Sequence, residues 1–439
     1  MRACFSSCVL GAAVAVWCGA PMVAAYRPKY ATVAHDVLRM EQANGIPVTD
    51  EHFKRLDDML QRASVSVPFR FTNVKTNAVE SCMMIDSLLV EDLKFSFENA
   101  LCFAPGLLEK KLDDAGIALV YCAVGQVLKL PIAALETPVR CAIRWSFPDG
   151  KYFLWRVKSD AVAQKASEVD EQQLIRMDRV TPDAVRNGAY LTALSTAGLM
   201  SIHVTEAGWF RLYRGDYDAA SAIAGEAVAL NPKRVAARVL KAAALYRLNR
   251  PADALEAMSE ALALDPEYYD GLIWRSDILV ALKKHREALA DLDLAVRTRP
   301  QLAQAHISKS VITLAMKDPV ACIATVDAAV DTWGIHNTWL YNNRGFARLE
   351  TGDAKRAIED FSLALQMDAG NAKALCNRGI ARQRTGDITG ANEDFAAAGM
   401  LYIRAGDRAA AQDTVKRLEQ NRAPADLIKP LRDALSGAR

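Results

Sequence analysis

Histidine is scarce in this chain and missing from its middle: none occurs between His52 and His203. A general base for thiol or hydroxyl chemistry in that span would have to come from outside it. Blocks of one charge sign are missing too. Lys plus Arg is 54 and Asp plus Glu is 52 over 439 residues, with no long run of either, whereas a nucleic-acid footprint needs a basic stripe. Nucleic acid is thereby set aside as a partner. Metal-type cysteine spacing is also lacking. Cys4, Cys8 and Cys18 lie in the first twenty residues, and the other six of the nine cysteines are scattered. That pattern fits neither a zinc site nor a dense disulfide framework. No phosphate loop or catalytic triad stands out, so no metal and no cofactor are expected. What is present is globular: 51% apolar and 24% charged residues, enough chain for two or three domains.

The first stretch carries Arg2, an apolar run over Val9 to Trp17, a break at Pro21 and the small residues Val23-Ala24-Ala25 before Tyr26. It reads as a secretory signal, cleaved after Ala25, and predicts an exported, periplasmic protein. The alternative is a retained membrane anchor over residues 8–25. From 26 to 66 the pattern predicts a helical segment, Tyr30 to Gln42 and then Thr49 to Gln61, with strand character over Val65 to Phe71.

Between 67 and 188 helices are predicted at Asn73 to Leu89, Pro105 to Leu112 and Ile117 to Leu128. Strands follow at Ile132 to Thr137, Cys141 to Phe147 and Lys151 to Val157, with Pro148-Asp149-Gly150 as a hairpin turn. Lys165 to Gly188 reads as a helix and connector, and Ala189 to Leu199 as a further helix. Tyr121, Gly125, Leu128-Lys129-Leu130-Pro131, Pro138 and Ile143-Arg144 keep the spacing of one branch of papain-like transglutaminase-type domains. Lys94 to Val157 therefore resembles that family and implies a small α+β domain. Catalytic members place a cysteine at the start of the helix and a histidine on the next strand. Here those positions hold Asp114 and Arg140, so the resemblance implies a domain without its nucleophile and base. Asp114 is expected to cap the helix with Asp113, or to form an ion pair with Arg140 in place of the lost thiolate and imidazolium.

From 189 to 405 the sequence repeats. Ala220, Ala254, Ala288, Cys322, Ala357 and Ala391 are separated by 34, 34, 34, 35 and 34 residues, a period that marks a stacked helical array. Units start at Ser201, Val235, Tyr269, Ala303, Thr338 and Ala372. The extra residue falls near Trp333 to Trp339, where the array is expected to be least regular. Small residues recur at Gly208, Ala242, Ser276, Ser310, Gly345 and Gly379, and again at Ala227, Ala261, Ala295, Ala329, Ala364 and Ala398. Plug positions lie between them at Ala224, Met258, Leu292, Val326, Phe361 and Phe395. Gly215-Asp216, Gly352-Asp353 and Gly386-Asp387 turn one helix into the next. These units resemble tetratricopeptide repeats. The resemblance implies an α-rich fold, a right-handed α-solenoid of six helix pairs, with capping helices over 406–439.

In that architecture the first helix of each unit lines a concave surface. Helical projection places Trp209, Tyr213, Tyr246, Ile273, Asp277, Ile307, Val311, Trp339, Asn342, Phe346, Lys373 and Ile380 toward it, a lining suited to an extended or helical peptide. Asn343 and Lys373 resemble part of a carboxylate clamp known in some of these repeats. Ile307, Val311 and Asn377 stand where its other members would be, so that clamp is incomplete. The leading expectation is a non-catalytic scaffold that binds protein or peptide partners, touching a membrane only if the N-terminal segment is retained. Two alternatives remain at this level. One is a thiol-dependent acyltransferase or peptidase using Cys141 or Cys122 with His203 or His285. The other is an anion or ligand site in the inactive cleft, with Arg140 as its cation.

Overall fold

The computed structural model describes residues 28–67, 75–97, 103–156 and 167–437; the signal segment read over 1–25 lies outside them. The chain divides into two compact units, one ending at Gly271 and one beginning at Leu272.

The first unit begins with two helices, α1 (Val33–Ala43) and α2 (Asp50–Ser66). Both start on a Thr-x-x-His phrase. The Thr49 N–H donates to Nδ1 of His52 at 3.0 Å and that of Thr32 to Nδ1 of His35 at 3.4 Å, so histidine takes the role that Glu or Gln has in most capping boxes. The strand expected from Val65 does not begin there. Leu56, Met59, Leu60 and Ala63 are buried at helical spacing, and the helix runs on through Val65 and Ser66. Next come α3 (Lys75–Ser87), which continues as a π turn over Leu88–Asp92, then β1 (Ser96–Phe97), α4 (Phe103–Glu109) and β2 (Lys111–Leu112). Pairing of β1 with β2 ends the helix expected to reach Leu112.

Helix α5 (Asp114–Leu128) is buried nearly all round, with Asp113 as N-cap accepting from the Gly116 N–H at 2.8 Å. It leads into an antiparallel sheet ordered β3 (Ile132–Glu136), β4 (Cys141–Ser146), β5 (Tyr152–Arg156) and β6 (Ser167–Val169). The alternation of the strands decides what covers each face. Ile143, Trp145, Phe153 and Trp155 join the core around α5, while Leu135, Ala142, Leu154 and Val169 meet Leu174 of α6 (Glu171–Asp178). Strand β6 was not expected, since Lys165 to Gly188 reads as helix and connector.

After α7 (Pro182–Arg186) the helix expected over Ala189 to Leu199 forms only from Thr196 onward. The carbonyls of Glu136 and Ala134 on the edge of β3 accept from the N–H groups of Leu191 and Leu194 at 3.1 and 2.8 Å. An open sheet edge therefore holds this segment, which bends at Leu191 (φ 62°) and bridges Leu135 at Ala193. Ser195 then caps α8 (Thr196–Tyr213), accepting from the Gly198 N–H at 3.1 Å. Helices α9 (Tyr217–Leu230), α10 (Val235–Arg247) and α11 (Pro251–Leu264) complete two antiparallel pairs. Two ties bind them to the preceding residues. Arg234 pairs with Glu136 and donates from Nε to Oγ1 of Thr205 at 3.1 Å. Asn187 donates to the last carbonyls of α11, Ala263 at 3.0 Å and Leu264 at 3.2 Å.

Helix α12 (Tyr269–Ala281) carries the boundary, and the second unit continues with α13 (His285–Thr298), α14 (Ala303–Ala315) and α15 (Pro319–Asp327). Then come α16 (Thr338–Glu350), α17 (Ala354–Met367), α18 (Ala372–Thr385), α19 (Ile388–Arg404), α20 (Arg408–Gln420) and α21 (Ala425–Gly437). The small positions are small because two helices meet there. A Cβ on Gly345 would stand 2.8 Å from Cε1 of Phe361, and one on Gly379 2.7 Å from Cε1 of Phe395. Those two rings are fully buried plugs, as are Leu292 and Val326. Gly352 and Gly386 turn at φ 89° and 87° before Asp353 and Asp387, which cap the following helices. The extra residue between Cys322 and Ala357 is absorbed by a π turn over Ala328–Thr332, where the helix ladder widens by one residue, followed by Gly334 at φ 64°.

Candidate functional site

The two positions singled out before the repeats do not pair as expected. Asp114 is the first residue of α5, and its carboxylate accepts the N–H of Cys141 at the start of β4, tying strand to helix. Capping is done by Asp113. Arg140 instead lies against Asp178, with Nε 2.6 Å from Oδ1, an ion contact without hydrogen-bond alignment. Asp178 also accepts from Oγ1 of Thr137 at 2.7 Å. The physical reason is burial: Asp178 is fully enclosed and needs a cation, whereas Asp114 already has backbone donors, from Cys141 and its own first turn. Arg140 is thus engaged at a carboxylate.

Both thiols are buried, and Cys141 lies among carboxyl groups. Cys141 is buried, and burial followed by Asp114, Asp113 and Glu206 pushes its thiol well above the ordinary range. Burial pushes the Cys122 thiol up to about 12. An activated thiolate needs the opposite surroundings, cations or a helix N-terminus free to face it. Cys122 also borders a cavity of about 330 Å³ with Gln126, Lys129, Ile132, Ser195 and Thr196. That cavity adjoins the C-terminal half of α5, away from Asp114.

On the repeats, the projected lining divides by depth. In the first unit Trp209 stacks on Tyr213 with ring centroids 5.9 Å apart, Tyr213 is exposed, and Tyr246 is half-buried. In the second unit Val311, Trp339 and Phe346 are 51%, 53% and 38% exposed, on the adjacent first helices α14 and α16, which touch. Trp339, Asn342 and Phe346 are three and four residues apart and share one face of α16. Asn342 Oδ1 accepts from Nδ2 of Asn377 on α18 at 3.2 Å, and Lys373 is exposed on that same helix. Asp277 is half-buried. Three predicted lining residues belong to the packing instead. Ile273 is 8% exposed; Ile307 packs with Val326, Ala329 and Leu340; Ile380 packs between the clusters of Phe361 and Phe395. Helical period gives direction around the axis but not depth, and adjacent first helices close over these positions. Asn343 is likewise spent inside, donating to Oγ of Ser310 at 2.8 Å, so no carboxylate clamp is assembled among the described residues of this face.

Sequence reasoning missed a recurring ion pair. Arg275 with Asp291, Arg344 with Asp360 and Arg378 with Asp394 join the two helices of their units at 2.6 to 2.7 Å. Arg348 and Arg382 reach the same carboxylates, of Asp360 and Asp394, at 2.8 and 2.9 Å. The signal was available as Asn-Arg-Gly-x-Ala-Arg in both of the last two units.

Family comparison matches tetratricopeptide repeat models at residues 205–269, 240–303 and 340–371. No curated protein is significantly similar to the chain. Similar solved structures include YrrB, a tetratricopeptide repeat protein with an unusual peptide-binding site, at 19% identity over 44% of this chain and 97% of that one, TM-score 0.36. Another is PilF of Pseudomonas aeruginosa, at 18% identity over 48% and 95%, TM-score 0.42. A third, a thermophilic tetratricopeptide repeat protein of Thermus thermophilus, has 20% identity over 42% and 99%, TM-score 0.35. The family matches begin at residue 205, and the transglutaminase-like resemblance of the N-terminal region has no support among them. Repeat models matched at 205–303 and 340–371, on helix pairs with small residues at their contacts, show that the chain carries tetratricopeptide repeats.

Proposed function

We propose that this chain is an exported, non-catalytic adaptor that holds a segment of a partner protein against the first-helix face around Val311, Trp339, Asn342 and Phe346. The observation that carries the reading is the exposure of Trp339 and Phe346, 53% and 38%, on one face of α16. Large aromatics left in water on one helix face, beside the exposed Val311 of the adjacent helix, are the usual anchors of a protein interface. Asn342 and Lys373 add polar contacts beside them. Repeats of this family bind proteins and peptides generally, which agrees with the reading.

Buried thiols, that of Cys141 among carboxyl groups, support the absence of catalysis. For the transglutaminase-like ancestry of residues 94–157, the support is α5 leading directly into antiparallel β3, β4 and β5. Export rests on the N-terminal sequence pattern alone; N-terminal sequencing of the mature chain should begin at Tyr26, and a start at Met1 would remove it. The binding reading is tested by affinity capture from the exported fraction with the wild type and with Trp339→Ala/Phe346→Ala. Loss of the captured partners in the double variant is expected. An identical set from both proteins removes this face from consideration.

A further inference from the structure

Four carboxyl groups and one imidazole meet where α8 seats on the N-terminal helices, and none of them serves the face just described. Glu41, at the end of α1, is fully buried and accepts from the N–H groups of Phe103 and Ala104 at 2.6 Å each. Asp113 and Asp114 stand at the start of α5. His203 and Glu206 lie one turn apart on α8, with Nδ1 of His203 3.2 Å from Oε2 of Glu206. His203 is 1% exposed, and neither ring nitrogen has an aligned hydrogen-bond partner. Its ring meets Phe103 edge-on, with centroids 6.2 Å apart.

We propose that this cluster makes the seating of α8 on the N-terminal helices pH-dependent, loosening as pH rises from 6.5 to 8. Burial is the first cause of every shift here. It pushes Asp113 up to about 8, helped by Glu206, and raises Asp114, Glu41 and Glu206, the last with a side chain still 21% exposed. Arg140 acts on Asp114 in the opposite direction, the Cys141 thiol stays neutral, and His203 is held neutral by burial against the pull of Glu41 and Asp113. Helices α9 and α10, which also pack on α8, add no charge acting on His203 or Glu206 among the described residues.

The sign follows from proton linkage. A carboxyl whose value is raised in the closed state binds its proton there and releases it on opening. Its stabilisation is whole below the ordinary carboxylate value and is lost as pH rises to the raised one. His203, lowered in the closed state, works the other way, but only below its ordinary value of 6.5. Between pH 6.5 and 8 the carboxyls act alone.

Hydrogen exchange of the full chain, corrected for intrinsic rates, reads this opening directly. Protection of residues 196–213 should fall about tenfold per pH unit between 6.5 and 8 for each carboxyl that opening releases. Residues 372–404 should change by less than about threefold over the same window. Glu206→Gln combined with Asp113→Asn, which keeps a capping side chain, should reduce the fall by about tenfold per pH unit for each carboxyl removed that opening releases. If that pair fails to fold, Glu206→Gln alone should reduce the fall at least threefold. Protection of 196–213 that is flat in the wild type, or a fall that survives either variant unchanged, overturns the proposal.

Discussion

Asp360 is a single buried carboxylate held by two guanidinium groups, and that asymmetry decides what its removal would do. Burial works against the charge of Arg344, but Asp360 and Asp327 outweigh it and hold the guanidinium above its ordinary value. Asp360→Ala would leave Arg344 with only the half-exposed Asp327 and Arg348 with no partner nearer than 3.8 Å. Breaking one side of a buried pair costs about 3–5 kcal/mol. The remaining Asp327 contact puts the expected loss toward the lower end of that range, measured by urea denaturation. Asp353→Ala, which removes an exposed cap, should cost about 1 kcal/mol by the same measurement. These arginines went unread, although a repeated phrase carried them, because a charged residue on a helix reads as solvated surface. Ile273 shows the converse: apolar and correctly oriented by helical period, it is nonetheless closed over by its neighbours. Arg140 was paired with the wrong acid because its partner, Asp178, arrives from a helix that no local pattern connects to it.

Among the elements, those with a repeated constraint were the readable ones. Ala288, Ala357 and Ala391 are fully buried where helices cross, and a contact that tolerates only small side chains writes itself into every unit. Strand β6, three residues long, and the segment 189–195 carried no such constraint; both are held by the edges of a sheet built elsewhere in the chain. The turns between paired helices differ in the same way. Asn249, Lys283 and Lys317 occupy the left-handed region at φ 59°, 60° and 58°, where Gly352 and Gly386 stand in later units. That conformation costs an L-residue about 1–2 kcal/mol, while glycine gives back part of the gain as unfolded-state entropy. Lys317→Gly should therefore raise stability by about 0.5–1 kcal/mol, seen as a higher urea midpoint at unchanged slope. A lowered midpoint would mean the lysine makes a compensating contact.

At the scale of the whole molecule, charge is nearly balanced, 54 basic against 52 acidic residues, and the proposed anchors are aromatic. Partner binding should therefore change less than about threefold between 50 and 500 mM salt, a range over which exposed ion pairs are strongly screened. A steep salt dependence by calorimetry would point to a charged interface instead. The repeat period was visible along the sequence, but the compact unit ending at Gly271 was not. That unit unites the first two helix pairs with residues far upstream, through contacts such as Arg234 with Glu136 and Asn187 with Leu264.

The π turn over Ala328–Thr332 has a consequence for the lattice of small residues. In a periodic solid an extra row of atoms must either end in a local defect or displace everything beyond it. One additional residue in a helix rotates each side chain that follows it in that helix by about 100°. Widening the ladder at the last turn of α15 and bending at Gly334 confines the misfit like a dislocation core before α16 begins, and the plugs Phe361 and Phe395 of the later units are fully buried. The array can thus gain a residue between units and keep its phase, which makes Trp333 to Asn337 the natural place for this chain to vary in length.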